Sequence, residues 1–349
     1  MFPCVEIKLD GILHNLNILE NTCSGKGISL SLVTKVLGGN LPLVKEILAK
    51  SKISMICDSR IQNLKTFESL TAEKWLIRSP MLSEVDEVVR YADVSLNSEL
   101  AIIEALNEAA TKQGKTHKII LMYELGDLRE GCYFEELSRL IAECEGLNGI
   151  EVLGIGTNLS CLNDTLPDKI NMAEFVAVVN ELEKRFDRIF PVISGGASSS
   201  AQMLFNGELP AKINSLRMGE AVFLGNIPVY DKPFPGARED NFILKAEIIE
   251  LKKKPSSPAL PPERICLSDR AIVALGKQDI YLPGLSCIDN RVKIIGGSSD
   301  HVILDVTDCC NNYTVGSIVE FKMNYNCLLN AMTSNYIEKI VLPFNIAGE

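Results

Sequence analysis

Lys35 lies in the stretch Thr34-Lys35-Val36-Leu37-Gly38-Gly39-Asn40, directly after a run at 27–33 that alternates apolar and small polar residues as a strand does. The Gly-Gly pair breaks that strand, and residues 41–48 open a helix with Pro42 in its first turn. Lys35 is therefore expected at the carboxyl end of a buried strand. A lysine in such a place can simply extend its ammonium to solvent. It can also lose part of its proton affinity through burial and become a nucleophile towards a carbonyl. Two later stretches decide between these readings. Ser194-Gly195-Gly196-Ala197-Ser198-Ser199-Ser200 ends one strand pattern and begins a helix, offering hydroxyls and free backbone N–H groups to an anion. Arg217-Met218-Gly219-Glu220-Ala221 ends the next, and Gly219 lets the backbone approach a ligand closely. Two adjacent loops of this kind point to a phosphate site opposite an amine.

The elements that must position these groups follow a strand-then-helix rhythm. Strands are predicted at 28–33, 53–57, 74–77, 92–96, 118–125, 150–156, 190–193 and 214–218. Helices are predicted at 41–49, 60–70, 83–91, 98–114, 134–145, 169–186 and 199–205. A strand at 5–9 and a helix at 11–21 precede them. Eight strands alternating with helices predict an α/β fold, a (β/α)8 barrel, over 1–230. A doubly wound sheet is disfavoured because TKVLGGN has neither dinucleotide nor Walker spacing. In a barrel the strand ends converge on one face. They carry Lys35, Asp58-Ser59-Arg60, Arg78, Asn97, Asp127 with Arg129, Asn158, Ser194 to Gly196, and Arg217. A strand-end lysine facing a phosphate site admits two chemistries, a phosphosugar aldolase or pyridoxal phosphate bound to Lys35. Arg217 favours the second. An arginine beside a pyridine nitrogen stays protonated and cannot accept that atom's proton, so the ring remains a weak electron sink suited to removing and returning an α-proton.

Past residue 230 the texture changes to short β-type runs at 242–251, 271–275, 292–295, 301–306 and 317–323, predicting a mostly β C-terminal domain over 231–349. Residues 252–262, with four prolines and three adjacent lysines, read as a surface loop. The chain has 349 residues, 46% of them hydrophobic, enough for one large and one smaller core. A net charge of −10 without a basic cluster argues against a nucleic-acid partner. No apolar run suits a membrane span or a signal segment, so no membrane partner and a cytoplasmic location are expected. Eleven cysteines without a CxxC pair read as reduced thiols in core positions, and no metal site is expected.

Several long blocks carry a family resemblance: VTKVLGG around Lys35, DSRIQNL (58–64), ADVSLNSE (92–99), HKIILMYELGDLREG (117–131), GIGTNLSC (154–161), ISGGASSS, LRMGEAVFLG (216–225), GGSSDHVILDVTD (296–308) and NAMTSNYI (330–337). By these the chain resembles the alanine racemase superfamily. The resemblance implies a pyridoxal-phosphate-dependent amino-acid racemase, with ornithine as the expected substrate and lysine or alanine as alternatives. It also implies a homodimer in which one β domain helps to close the other copy's barrel. Lys35 would hold the cofactor and act as one acid/base. Arg217 would face the pyridine nitrogen. Ser198, Ser199 and Ser200, with Ser194, Gly195, Gly219 and Glu220, would form the phosphate side, and Tyr336 would approach from the second domain. Arg129 would orient the cofactor oxygen and the substrate carboxylate.

The chain departs from the family pattern at several places. Asn158 stands where the family has a histidine, Met122 where it has a modified lysine, and Ala197 where it has an asparagine. Racemisation needs a proton donor and acceptor on each face of the reacting carbon. The family's tyrosine for the second face is missing from 274–279, which offers Lys277; Asp300 and His301 are alternatives, and Tyr281 and Tyr325 stay open. Glu124, Asp127, Glu220, Asp279 and Asp300 could each supply a carboxylate for a substrate's terminal ammonium. A non-catalytic cofactor carrier and a same-fold aldolase or lyase are the rival readings. A β domain of roughly 120 residues speaks against the bare-barrel carrier.

Overall fold

The computed structural model describes residues 1–230, 232–255 and 267–343. The chain divides into two compact units, one formed by residues 13–238 and the other by 1–12 with 239–349.

The first unit is a closed barrel of eight parallel strands: β2 (Ser29–Val33), β3 (Met55–Asp58), β4 (Glu73–Leu76), β5 (Val94–Asn97), β6 (His117–Tyr123), β7 (Ile150–Thr157), β8 (Val192–Ser194) and β9 (Ser215–Met218). Each strand pairs with the next, and β9 closes on β2 with Ser31 opposite Arg217. All eight barrel strands fall where the sequence places them. Their residues are almost wholly buried, as in a parallel sheet covered on both faces. Val33, Cys57, Trp75, Val94, Leu96, Ile120 and Met122 form one apolar cluster.

Helices α1 (Leu9–Ser24), α2 (Leu41–Ala49), α3 (Ile61–Thr66), α4 (Val85–Tyr91), α5 (Leu100–Lys112), α6 (Phe134–Cys144), α7 (Lys169–Arg185), α8 (Ala201–Asn206) and α9 (Glu220–Leu224) connect the strands. Two of them begin with a side-chain cap. Asn40 caps α2 by accepting the Leu43 N–H at 3.1 Å, and Asp168 caps α7 by accepting from Ile170 and Asn171. Helix α3 is shorter than the expected 60–70.

The strand at the amino terminus, β1 (Cys4–Lys8), groups with the second unit. There it runs parallel to β18 (Glu338–Leu342) and antiparallel to β12 (Phe242–Pro255). The small pair β10 (Asn226–Ile227) and β11 (Lys232–Pro233) lies in the first unit. The remaining strands of the second unit are β13 (Leu267–Val273), β14 (Leu285–Cys287), β15 (Lys293–Gly297), β16 (Val302–Asp305) and β17 (Ile318–Met323). The order is β14-β17-β12-β13-β16-β15. One helix, α10 (Tyr325–Thr333), and strands β14 and β18 were not expected from the sequence.

The expected loop at 252–262 is corrected in its first part. Lys252 to Pro255 continue β12 and pair with Leu267 to Arg270 of β13. The lysines are tolerated because they stand on the strand's exposed flank beside carboxylates: Lys252 and Lys254 pair with Glu250, and Lys253 pairs with Asp269 at 2.9 Å. Residues 256–262 lie outside the described residues. The ten described cysteines are all free thiols, most of them buried. Among the described residues no helix is long and apolar enough to cross a membrane, and no group of side chains could hold a metal ion.

Candidate active site

Lys35 opens a single 3-10 turn, Lys35–Leu37, immediately after β2, and is half-buried. The turn ends at Gly38 and Gly39, with φ of 60° and 77°, a backbone that glycine adopts without strain. A Cβ on Gly39 would also lie 2.9 Å from the Asn63 side-chain oxygen. Thr34, just before the lysine, is fully buried and donates to the Cys57 carbonyl at 3.1 Å and to an Asp58 carboxylate oxygen at 2.9 Å. The other Asp58 oxygen accepts from the Arg60 N–H and the Asn63 amide, both at 3.0 Å. Burial pushes the Asp58 carboxyl up in pKa against these hydrogen bonds. The end of β3 thus fixes the backbone that carries Lys35.

Arg217, on β9, is 2% exposed. Its guanidinium donates to the Ser194 hydroxyl, to the Thr157 carbonyl at 3.0 Å and to the Asn158 side-chain oxygen at 2.6 Å. These three partners are neutral, and burial lowers the pKa of the guanidinium. A buried cation held by neutral acceptors is costly unless an anion or a polar ligand completes its surroundings.

On the adjacent strand ends, Ser198 Oγ accepts the Gly219 and Ala221 N–H groups, each at 3.2 Å. Ser199 donates to the Leu159 carbonyl at 3.1 Å, and Ser200 to the Gly195 carbonyl at 2.7 Å. All three serines are buried. Gly195 and Gly219 stand where side chains would collide with Ile213 and Val33. Glu220 begins α9 and accepts from Asn226 at 3.4 Å.

Arg129 lies in the loop after β6, and that loop is held by its own acids. Glu124 accepts the Gly126, Leu128 and Arg129 N–H groups at 2.5, 3.0 and 3.2 Å. Asp127, 1% exposed, accepts from Arg129 Nε at 2.9 Å and from the Cys161 and Leu162 N–H groups at 2.8 and 3.1 Å. Burial opposes ionisation of Asp127, but these hydrogen bonds outweigh it and hold its carboxyl below its ordinary pKa. Burial likewise opposes the charge on Arg129, and Glu130 and Asp127 more than restore it. Asn163 ties the loop after β7 to the same place, donating to the Gly126 and Asp127 carbonyls at 2.9 Å each. Glu124 and Asp127 are therefore engaged in holding this loop. Asp279 is buried and accepts from Ser334 at 2.6 Å.

Met122 is fully buried in the apolar cluster of the barrel. Asn158 spans two neighbours: its oxygen meets Arg217 and its amide donates to Glu130 at 3.0 Å. Glu130 also accepts from Arg129 at 2.8 Å. The sequence reading missed Glu130. Its signal was present in Asp127-Leu128-Arg129-Glu130, an arginine flanked by acids at −2 and +1 in a loop after a strand.

In the second unit the structure brings Lys277, Asp300 and His301 onto two adjoining turns. The Lys277 and Gln278 N–H groups donate to the Ser298 and Ser299 carbonyls at 2.9 and 3.2 Å. Gly276 permits that approach, since a Cβ there would sit 1.8 Å from the Ser299 oxygen. Lys277 and Asp300 are exposed and His301 is half-buried. Asp300 accepts from Gln278 at 3.0 Å and Ser299 at 2.7 Å, and His301 Nδ1 lies 3.3 Å from the Ser298 hydroxyl. Tyr336, on the same unit, is 76% exposed.

The barrel mouth fits pyridoxal phosphate by the chemistry of its groups. It has an amine at one strand end, a buried guanidinium with neutral partners, and the Gly219 and Ala221 N–H groups converging on Ser198 beside Ser199 and Ser200.

The family model for the alanine racemase N-terminal domain matches residues 7–227. An ornithine racemase from Acetoanaerobium sticklandii is 42% identical over 355 residues, covering 98% of this chain and 100% of the relative. A lysine racemase from Thermotoga maritima is 35% identical over 356 residues, covering 98% and 99%. The fold matches that of the Bartonella henselae alanine racemase with covalently bound pyridoxal phosphate, at a TM-score of 0.74 and 15% identity over 97% of this chain and 99% of that one. With a family model spanning most of the barrel and a full-length racemase relative at this identity, the chain belongs to the alanine racemase superfamily and is an amino-acid racemase.

Proposed function

We propose that this racemase uses pyridoxal phosphate held at the barrel mouth to interconvert L- and D-ornithine. The full-length identity to an ornithine racemase, higher than that to a lysine racemase, is the observation that carries the substrate. The cofactor reading rests on the mouth's donor set and on the family. When bound, pyridoxal phosphate supplies the electron sink that makes the α-proton of an attached amino acid removable.

The chain's own residues divide the remaining work. Lys35 holds the cofactor and moves the α-proton on one face. Ser198, Ser199 and Ser200, with Ser194, Gly195 and the N–H groups of Gly219 and Glu220, hold the phosphate; Tyr336 contributes from the β domain. Arg217 donates to the ring nitrogen, and as a permanent donor it keeps that nitrogen unprotonated. Weak electron withdrawal suits proton exchange and disfavours side reactions. Arg129 binds the substrate carboxylate. Lys277 moves the proton on the opposite face, with His301 and Asp300 beside it, in a homodimer. The barrel unit, residues 13–238, carries the cofactor.

Measuring kcat/KM for L-ornithine, L-lysine and L-alanine with chiral separation of the products tests the substrate. Ornithine is expected to lead by at least about tenfold. Equal or higher kcat/KM for lysine or alanine would overturn it.

A further inference from the structure

Two cations at the barrel mouth, Arg129 in the loop after β6 and Arg217 on β9, are linked through Glu130 and Asn158. Glu130 Oε1 accepts Arg129 Nη1 at 2.8 Å and Asn158 Nδ2 at 3.0 Å. Asn158 Oδ1 in turn accepts Arg217 Nη2 at 2.6 Å. Asn158 suits this place because its amide presents an acceptor to the guanidinium and a donor to the carboxylate. An aspartate there would repel Glu130. The Glu130 side chain is only 13% exposed, and Asn158 is buried. Asp127 serves Arg129 but makes no hydrogen bond to Arg217 or Asn158 among the described residues, so the bridge runs through Glu130 alone.

We propose that Glu130 is a positioning residue that couples the two mouth arginines through Asn158. It aims Arg129 at the substrate carboxylate and, one step removed, sets how Arg217 donates to the cofactor ring. Its negative charge offsets the two cations at the mouth. The inference rests on the proposed placement of Arg129 and Arg217 about cofactor and substrate.

The test is a double-mutant cycle with two readouts, the KM for the amino acid and the visible absorption band of the bound cofactor. Glu130→Ala is expected to raise KM by about tenfold, the scale of losing a charge-assisted hydrogen bond, and to shift the band. Asn158→Ala is expected to shift the band similarly while raising KM less, because it leaves Arg129 paired with Glu130. The double variant should shift the band no further than either single change, since both cut the same link. Glu130→Gln keeps the shape and loses the charge; it serves if the alanine variant does not fold, and should move both readouts in the same direction by a smaller amount. Band and KM unchanged in folded Glu130 variants, or fully additive band shifts, would overturn the proposal. A wild-type protein that takes up no pyridoxal phosphate would instead refute the cofactor reading, so the two failures are distinguishable.

Discussion

The barrel mouth and the turn cluster of the second unit are built on opposite plans. At the mouth the polar groups are buried and held by several partners each: Asp127 by Arg129 and two backbone N–H groups, Arg217 by Ser194, Thr157 and Asn158. In the cluster, Lys277 and Asp300 stand exposed, and Asp300 is engaged chiefly with its neighbours Gln278 and Ser299. The difference teaches where rigidity is needed. On the proposed roles, the mouth groups gain from fixed geometry, and their many partners supply it.

The largest effects should come from the two proposed proton carriers, and they should differ in kind. Lys35→Ala is expected to lower racemisation by at least about a thousandfold and to abolish covalent cofactor attachment, read by mass spectrometry after borohydride reduction. Lys277→Ala should lower racemisation by about a hundredfold or more while one enantiomer still exchanges its α-hydrogen with solvent. Equal loss of exchange on both enantiomers would assign Lys277 no face of its own.

A smaller effect should follow from loosening the mouth without touching its cations. Asp127→Asn keeps an acceptor for Arg129 but loses the charge and places an amide against the Cys161 and Leu162 N–H groups. An increase in KM of about tenfold, with kcat within about threefold, is expected from steady-state kinetics.

The smallest effect on turnover is expected at the far end of the strands, in the buried pair of His117 and Ser95, 2.8 Å apart. Burial, with Lys115 adding to it, holds the His117 pKa down to about 4. The unfolded chain takes up this proton near the ordinary histidine value, so the stabilisation is complete above about pH 6.5 and is lost as pH falls towards 4. The loss is on the order of 3 kcal/mol across that window. Denaturant midpoints of the wild type should fall from pH 7 to pH 4, and His117→Gln should flatten that slope while leaving kcat near wild type.

Much of the barrel was legible in the sequence because each strand is an apolar run bounded by turn residues, and a closed parallel sheet buries both faces of such runs. The second unit was less so. Its β1 lies more than 200 residues from its partner β12 in sequence, and no local pattern in residues 4–8 reveals whether that strand joins the barrel or a sheet formed much later in the chain. The exposed end of β12 reads as loop because lysine and proline outweigh apolar alternation there. At the site, Lys35, Arg129 and Arg217 announced themselves by residue type at strand ends. Glu130 is legible only as a neighbour of Arg129; its contact with Asn158, 28 residues away, is not, because spacing along the chain carries no such distance. Glu124 and Asp127 were visible as carboxylates, but only the structure shows them spent on backbone N–H groups.

The central claim, reversible removal of an α-proton from ornithine at this barrel mouth, is tested most directly in deuterium oxide. The protein, loaded with pyridoxal phosphate, is incubated with L-ornithine, and α-deuterium content and chirality are read on the same sample. The account predicts D-ornithine that carries α-deuterium, approaching a one-to-one ratio with the L form. Ornithine that remains wholly L and unlabelled would contradict it.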